Sequence, residues 1–241
     1  MPVYILRAYW KPRKETIDSC AERLFRFLTA LSECDAVFSR WFKQGMSRRK
    51  ALQSEIDFKN KTCLLELLDK GRHRNDVGRE VMEDLGFSVG MWNGEAPTKA
   101  VSLRVSCGSY WNGPAGTGGN SVVIDLPEEC GDLLRNERME SVLVVAAKCW
   151  EPDWVRVSLT QLAKVEDVVP GKPLEGPKYF DWMLYVNNKL IPNPNVPEPS
   201  LVKPVDAIGS LILVQQEPVE ADNPIHLQRV KAVGAAIGMT G

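Results

Sequence analysis

The chain has 241 residues, 44% hydrophobic and 25% charged, with a formal net charge of -1. That length and balance describe a globular protein with a sizeable core. The near-neutral charge argues against the broad basic field of a general nucleic-acid binder.

The amino-terminal stretch MPVYILRAYWKPRKET has an apolar run too short for the core of a signal peptide. The longest apolar stretch, Val142 to Ala147, falls far below the roughly 20 residues that cross a bilayer. A cytoplasmic protein off the membrane is therefore expected. The six cysteines are scattered without a C-x-x-C pair, and in a long chain of this kind they read as reduced, mostly buried thiols.

In chain order, Val3–Tyr9 reads as a strand. Thr16 to Leu31 places Ile17, Cys20, Ala21, Leu24, Leu28 and Leu31 at helical spacing, with Thr16 as the N-cap. Short helices are expected over Ser47–Gln53 and Lys61–Asp69. A third is expected over Asp76–Leu85, with Val77, Val81 and Leu85 inward and Gly86 as its stop. Phe87–Trp92, Ala100–Cys107 and Ser121–Leu126 are short β-like runs between turn residues, which suggests an antiparallel meander.

Glu137–Trp150 is the clearest helix, and Trp154–Val157 and Tyr179–Val186 return to strand. Ile191–Val205 carries five prolines and reads as an extended tether, incompatible with a helix or a central strand. Ser210–Val214 is a last strand, and Asn223-Pro224 opens a final helix with Leu227, Val230 and Ile237 inward. The expected architecture is α+β: an antiparallel or mixed sheet packed by several helices. Residues 1–186 form the main domain. Residues 187–241 supply the proline-rich tether, a strand and a helix that packs on the same domain.

Three motifs imitate catalytic or cofactor sites. Gly113 and Gly118 have P-loop spacing, yet Gly119-Asn120 stand where the loop needs Lys and Ser or Thr, and a β-like run follows instead of a helix. Gly86-Phe87-Ser88-Val89-Gly90 matches G-x-S-x-G, but the order of helix and strand around it is reversed from a nucleophile elbow. Ser47 to Lys50 is formally S-x-x-K, and Ser47 is simply a good helix cap. His73 and Asp76 lack a second histidine near them for a metal, and no Glu-x-Lys follows Asp153. No catalytic residue, cofactor or metal is expected.

Polar–aromatic clusters remain at AYWKPRKE (8–15), FSRWFKQGMSRRKAL (38–52), GFSVGMWNG (86–94) and CWEPDW (149–154). Trp and Arg are the types enriched where one protein grips another. Trp41 and Trp150 read as core anchors. Trp10, Trp92, Trp111 and Trp154 lie beside turns or strand ends, where a partly exposed ring is expected.

In these clusters the chain resembles the immunity protein 52 family, antidotes of polymorphic bacterial toxins. The likeness runs through Tyr9-Trp10, Arg13 and Glu15, then Trp41-Phe42, Gly45 and Ser47-Arg48. It continues with Leu85-Gly86-Phe87, Trp92-Asn93-Gly94 and Pro152-Asp153-Trp154. The resemblance implies a protein that binds a cognate toxin with a restriction-endonuclease-like nuclease domain, delivered by routes such as type VI secretion. It implies no catalytic residue. The partner-binding candidates are Trp10, Arg13, Trp92, Asn93, Trp111, Asp153 and Trp154. The acidic run Asp125, Glu128, Glu129 and Asp132 joins them as a surface complementary to a basic nuclease groove. The alternatives are a hydrolase using Ser88 and His226, or a secretion-system adaptor that neutralises nothing.

Overall fold

The computed structural model describes residues 3–45, 47–112, 119–160 and 182–238. Among these, nine strands form one sheet: β1 (Tyr4–Trp10), β2 (Phe42–Lys43), β3 (Phe87–Trp92), β4 (Ser102–Cys107), β5 (Asn120–Asp125), β6 (Trp154–Leu159), β7 (Met183–Asn187), β8 (Leu201–Val205) and β9 (Gly209–Leu213). Their spatial order is β2-β3-β4-β5-β1-β6-β7-β9-β8, and every pairing is antiparallel. The helices are α1 (Ile17–Cys34), α2 (Arg48–Ala51), α3 (Lys61–Lys70), α4 (Asn136–Trp150) and α5 (Pro224–Ala236). The fold is α+β in a single domain.

Register explains the core. Leu6 pairs with Ile124 on one side and Val157 on the other. The same file continues through Leu103 to Met91, and through Met183 to Leu213. All seven side chains are buried. Because side chains alternate across a strand, this file marks one face of the sheet. Trp10, two pairs along that face, stacks on Trp150 of α4 with ring centroids 5.4 Å apart, and Phe27 of α1 meets Trp150 edge-on at 5.8 Å. The helices α1 and α4 therefore cover this face with their apolar stripes.

The opposite face differs along its width. In β3, β4 and β5 buried residues alternate with partly exposed Ser88, Gly90, Ser102, Ser106, Ser121 and Val123 and exposed Arg104, the pattern of a sheet with one wet side. In β6 every residue is buried, on both faces.

The caps follow the sequence closely. Thr16 accepts a hydrogen bond from the Ser19 amide, Ser47 from Lys50, Asn60 from Thr62, and Asn223 from both Ile225 and His226. Trp41 and Trp150 are fully buried. The six cysteines are free, with Cys20, Cys107 and Cys149 buried.

Two expectations are corrected. Residues 76–85 are not a helix. Gly78 and Arg79 both take left-handed backbone, with φ of 82° and 59°, and turn the chain back so that Arg74 bridges to Val81. The Asn75 amide donates to Glu80 O at 3.0 Å, and the Asn75 side chain accepts from the Glu80 amide. Val77, placed inward by helical spacing, is 85% exposed. The turn made by Gly78 and Arg79 and capped by the Asn75 side chain overrides the periodicity. Only Glu83–Leu85 makes a helical turn, of the 3-10 type, ending at Gly86.

The proline-rich segment is likewise not all tether, because Leu201–Val205 pairs with β9. Pro204 is tolerated there because β8 is an edge strand. Residues 179–181 of the expected strand Tyr179–Val186 lie outside the described residues.

Burial pushes the Cys34 and Cys130 thiols up to about 11 from an ordinary 9.0, and the Tyr185 hydroxyl up to about 12 from 10.0. Acidic groups whose folded value is raised hold their protons longer in the folded state than in the unfolded one. Their stabilising contribution is complete below pH 9 and is lost as pH rises. The thermal midpoint is expected to fall between pH 9 and pH 11, and less steeply in Cys34→Ser. A midpoint that stays level over that range contradicts the burial of these groups.

Candidate partner-binding surface

The antiparallel strands sort the candidate residues to two opposite ends of the sheet. At roughly 3.3 Å per residue the ends lie about 20 Å apart. Trp10, Arg13, Trp111, Asp153 and Trp154 gather at the carboxyl end of β1. Trp92, Asn93, Asp125, Glu128, Glu129 and Asp132 gather at its amino end.

The first group makes contacts within the fold, with Trp10 and Trp154 buried and Arg13, Trp111 and Asp153 half-buried. Trp10 is 2% exposed and Trp154 5%, so the partly exposed rings expected there are in fact core. Trp154 stacks on Tyr9 at 5.7 Å. Arg13 donates to Trp150 O at 2.9 Å and pairs with Glu15 at 3.1 Å. Glu15 also takes Arg23 at 2.7 Å. Asp153 accepts from the Lys11 amide at 3.0 Å. Trp111 is half-buried, its amide donating to Asp84 O.

Residues 113–118 of the glycine loop lie outside the described residues, but both of its margins are tied down at this end. Asn120 is fully buried, accepts from the Ser109 amide at 2.8 Å, and donates to Lys11 O and Ser109 O. Gly119 stands where a P-loop would carry its lysine. A Cβ there would fall 2.4 Å from the Tyr9 ring, and the chain continues into strand β5.

At the other end three connections converge on a cleft of about 620 Å3. The α1–β2 connection contributes Asp35, Val37, Arg40 and Phe42, and Leu52 follows α2. The β3–β4 connection contributes Asn93, Gly94, Glu95 and Lys99. The β5–α4 connection contributes Glu129, Cys130 and Leu133. The Glu129 amide donates to Thr98 O at 2.8 Å, which fastens the last two connections together.

Asn93, 6% exposed, organises this end from inside. Its side chain accepts from the Val101 amide at 3.0 Å and the Glu95 amide at 3.3 Å, and donates to Lys99 O at 3.1 Å. Gly94, with φ of 81°, lies so close to Phe42 that a Cβ would sit 2.6 Å from its ring. Trp92 leans on the other side of that contact, 6.3 Å from the Phe42 centroid. Arg40 lies 5.1 Å over Phe42 and forks onto Glu55 at 2.8 and 2.9 Å. That fork holds the Glu55 carboxyl below its usual range.

The acidic run divides in two. Asp125 takes hydrogen bonds from Ser102 and Arg104, and Asp132 pairs with Arg135 at 3.0 Å. Glu128 and Glu129 are exposed and, with Glu95, have no ion-pair partner among the described residues. Sequence reasoning missed Arg40, Leu52 and Glu95. The signal for them was Trp92-Asn93-Gly94, whose glycine is dictated by the Phe42 ring.

The hydrolase pairing does not assemble. Ser88 Oγ has Ser106 Oγ at 3.5 Å, and the His226 ring bonds the Glu220 amide and Asn223. Among the described residues no cluster of His, Cys, Asp and Glu suits a metal, and no helix is long and apolar enough to cross a membrane.

The profile of the immunity protein 52 family matches residues 2–241. The chain belongs to the immunity protein 52 family. No curated protein sequence matches it. Its fold is similar to that of a solved structure described as Pseudomonas aeruginosa T6SS protein PA0821, at a TM-score of 0.64 and 11% identity, covering 99% of this chain and 76% of that one. At that identity the likeness speaks for the fold alone.

For this member of the immunity protein 52 family, Asn93→Ala is expected to lower stability by about 1–3 kcal/mol, because it strips partners from buried amides. Glu128→Ala is expected to stay within about 0.5 kcal/mol, as exposed changes do. Chemical denaturation separates the two. Equal midpoints for both variants would show that Asn93 is not structural.

Proposed function

We propose that this protein binds and neutralises a cognate bacterial nuclease toxin, a restriction-endonuclease-like effector of type VI secretion, by forming a stoichiometric complex in the cytoplasm. The observation that carries the reading is the family match across residues 2–241. The T6SS description of a structurally similar protein agrees with the secretion context.

The physical requirement is slow release, because one free nuclease continues to cut. A standard interface of about 1,600 Å2 supplies enough contact for that. Nuclease grooves are basic because they hold phosphates. Glu95, Glu128 and Glu129, in no salt bridge among the described residues, offer the complementary charge at the cleft end of the sheet. Trp92 and Asn93 belong to this end, Trp92 as rim and Asn93 as support. Trp10, Arg13, Trp111, Asp153 and Trp154 serve the fold at the far end.

Co-expression with a candidate restriction-endonuclease-like toxin tests the function. The antidote reading expects growth to be restored and a 1:1 complex to purify. An adaptor would leave the cells dying. For the interface, Glu128→Lys with Glu129→Lys is expected to slow association about tenfold at low salt, with the effect fading as salt screens the charges. Association kinetics unchanged at low salt would remove the acidic end from the account.

A further inference from the structure

The cleft at the acidic end combines features that the charge argument alone does not use. Its volume of about 620 Å3 is that of a ligand-sized recess, larger than an ordinary surface dimple. One wall is apolar, with Val37 and Leu133 inside and Leu52 left 38% exposed at the mouth. The rim is acidic.

Of the charged side chains lining the cleft, Asp35 is paired with Arg138 and Arg40 with Glu55. That leaves Glu129, and Glu95, which also feels the Arg40 charge, against Lys99. An apolar wall under a surplus of carboxylates suits a side chain that is aliphatic along its stem and cationic at its tip.

The fold also contains one such contact of its own. Arg40 lies over the Phe42 ring and forks onto Glu55 beside this cleft, so the wall already accepts a guanidinium held by an aromatic face and a carboxylate. The recess is held open by the fold and does not depend on a ligand to form it. Asn93 fixes the β3–β4 connection, Gly94 seats on Phe42, and the Glu129 amide ties in the third wall. Preformed geometry of this kind reduces the ordering cost of binding.

We propose that this cleft is an anchor socket for a partner protein's arginine presented beside an apolar residue, with the guanidinium between Glu95 and Glu129 and the neighbouring aliphatic side chain against Leu52. The proposal rests on the reading of the chain as the antidote of a nuclease, whose phosphate-holding arginines are the natural occupants. It makes the socket the centre of the interface and the Glu128 side its rim. Buried arginine anchors of this type dominate many protein interfaces.

The test uses the full chain alone, so that it does not depend on the toxin. N-acetyl-leucyl-arginine amide is titrated against the labelled protein and followed by amide chemical shifts. The matched peptide with citrulline, which has the same shape without the charge, serves as control. Shifts are expected to concentrate at residues 93–95 and 129–133, with a Kd in the range of about 1–10 mM, the regime of about -3 to -4 kcal/mol. The citrulline peptide is expected to bind at least about fivefold more weakly, as befits loss of a charge-assisted contact.

Glu95→Gln with Glu129→Gln is expected to erase the difference between the two peptides while leaving the folded spectrum intact. Leu52→Asp is expected to weaken both peptides' packing. Shifts that fall elsewhere, or equal binding of arginine and citrulline peptides, overturn the socket even if toxin binding is real. In the toxin complex the same Gln pair is expected to speed dissociation at least about tenfold, or about 1.4 kcal/mol. Failure of the wild-type chain to bind any toxin overturns the antidote reading and leaves the peptide result to decide the socket.

Discussion

Strand β1 is the constraint on which the rest of the structure depends. It pairs along its length with β5 on one side and β6 on the other, and among the described residues it is the strand that joins the meander of β2 to β5 to the later strands β6 to β9 within the sheet. Leu6 sits at the middle of the apolar file that crosses the sheet, and Trp10 carries the contact to Trp150. A charged residue at Leu6 would bury an unpaired charge where the two halves of the sheet meet.

The same strand divides the labour of the molecule. At its carboxyl end, polar and aromatic groups are consumed internally, in the Glu15 pairs, the Asn120 bridge and the Tyr9–Trp154 stack. At its amino end the connections leave a recess and carboxylates in no salt bridge among the described residues. The internally paired groups and the recess are thus placed about 20 Å apart, by the roughly 3.3 Å advance of each strand residue.

Much of this was legible in the amino acids. The helix caps at Thr16, Ser47, Asn60 and Asn223 and the alternation in Phe87–Trp92 are local patterns, and local chemistry decided them. The helix expected at 76–85 failed because Val77, Val81 and Leu85 have helical spacing by coincidence, whereas Gly78 and Arg79 turn the chain back. The exposure of Trp10 and Trp154 was misjudged because burial at a strand end is a tertiary fact: Trp150 of α4 closes over Trp10, and Trp154 stacks on Tyr9 on the other face. The cleft was only half legible. Trp92-Asn93 and Glu128-Glu129 stood out separately, but nothing local says that Glu129 will bond to Thr98 and bring them together.

An antidote that acts by occupancy must show its footprint at one end of the sheet. Hydrogen exchange of the free chain and of its complex with the cognate nuclease domain measures that directly. The account predicts new protection at residues 93–99 and 127–133, with residues 9–14 and 107–111 unchanged. Protection confined to the carboxyl end of β1, with the cleft connections exchanging as before, would contradict it.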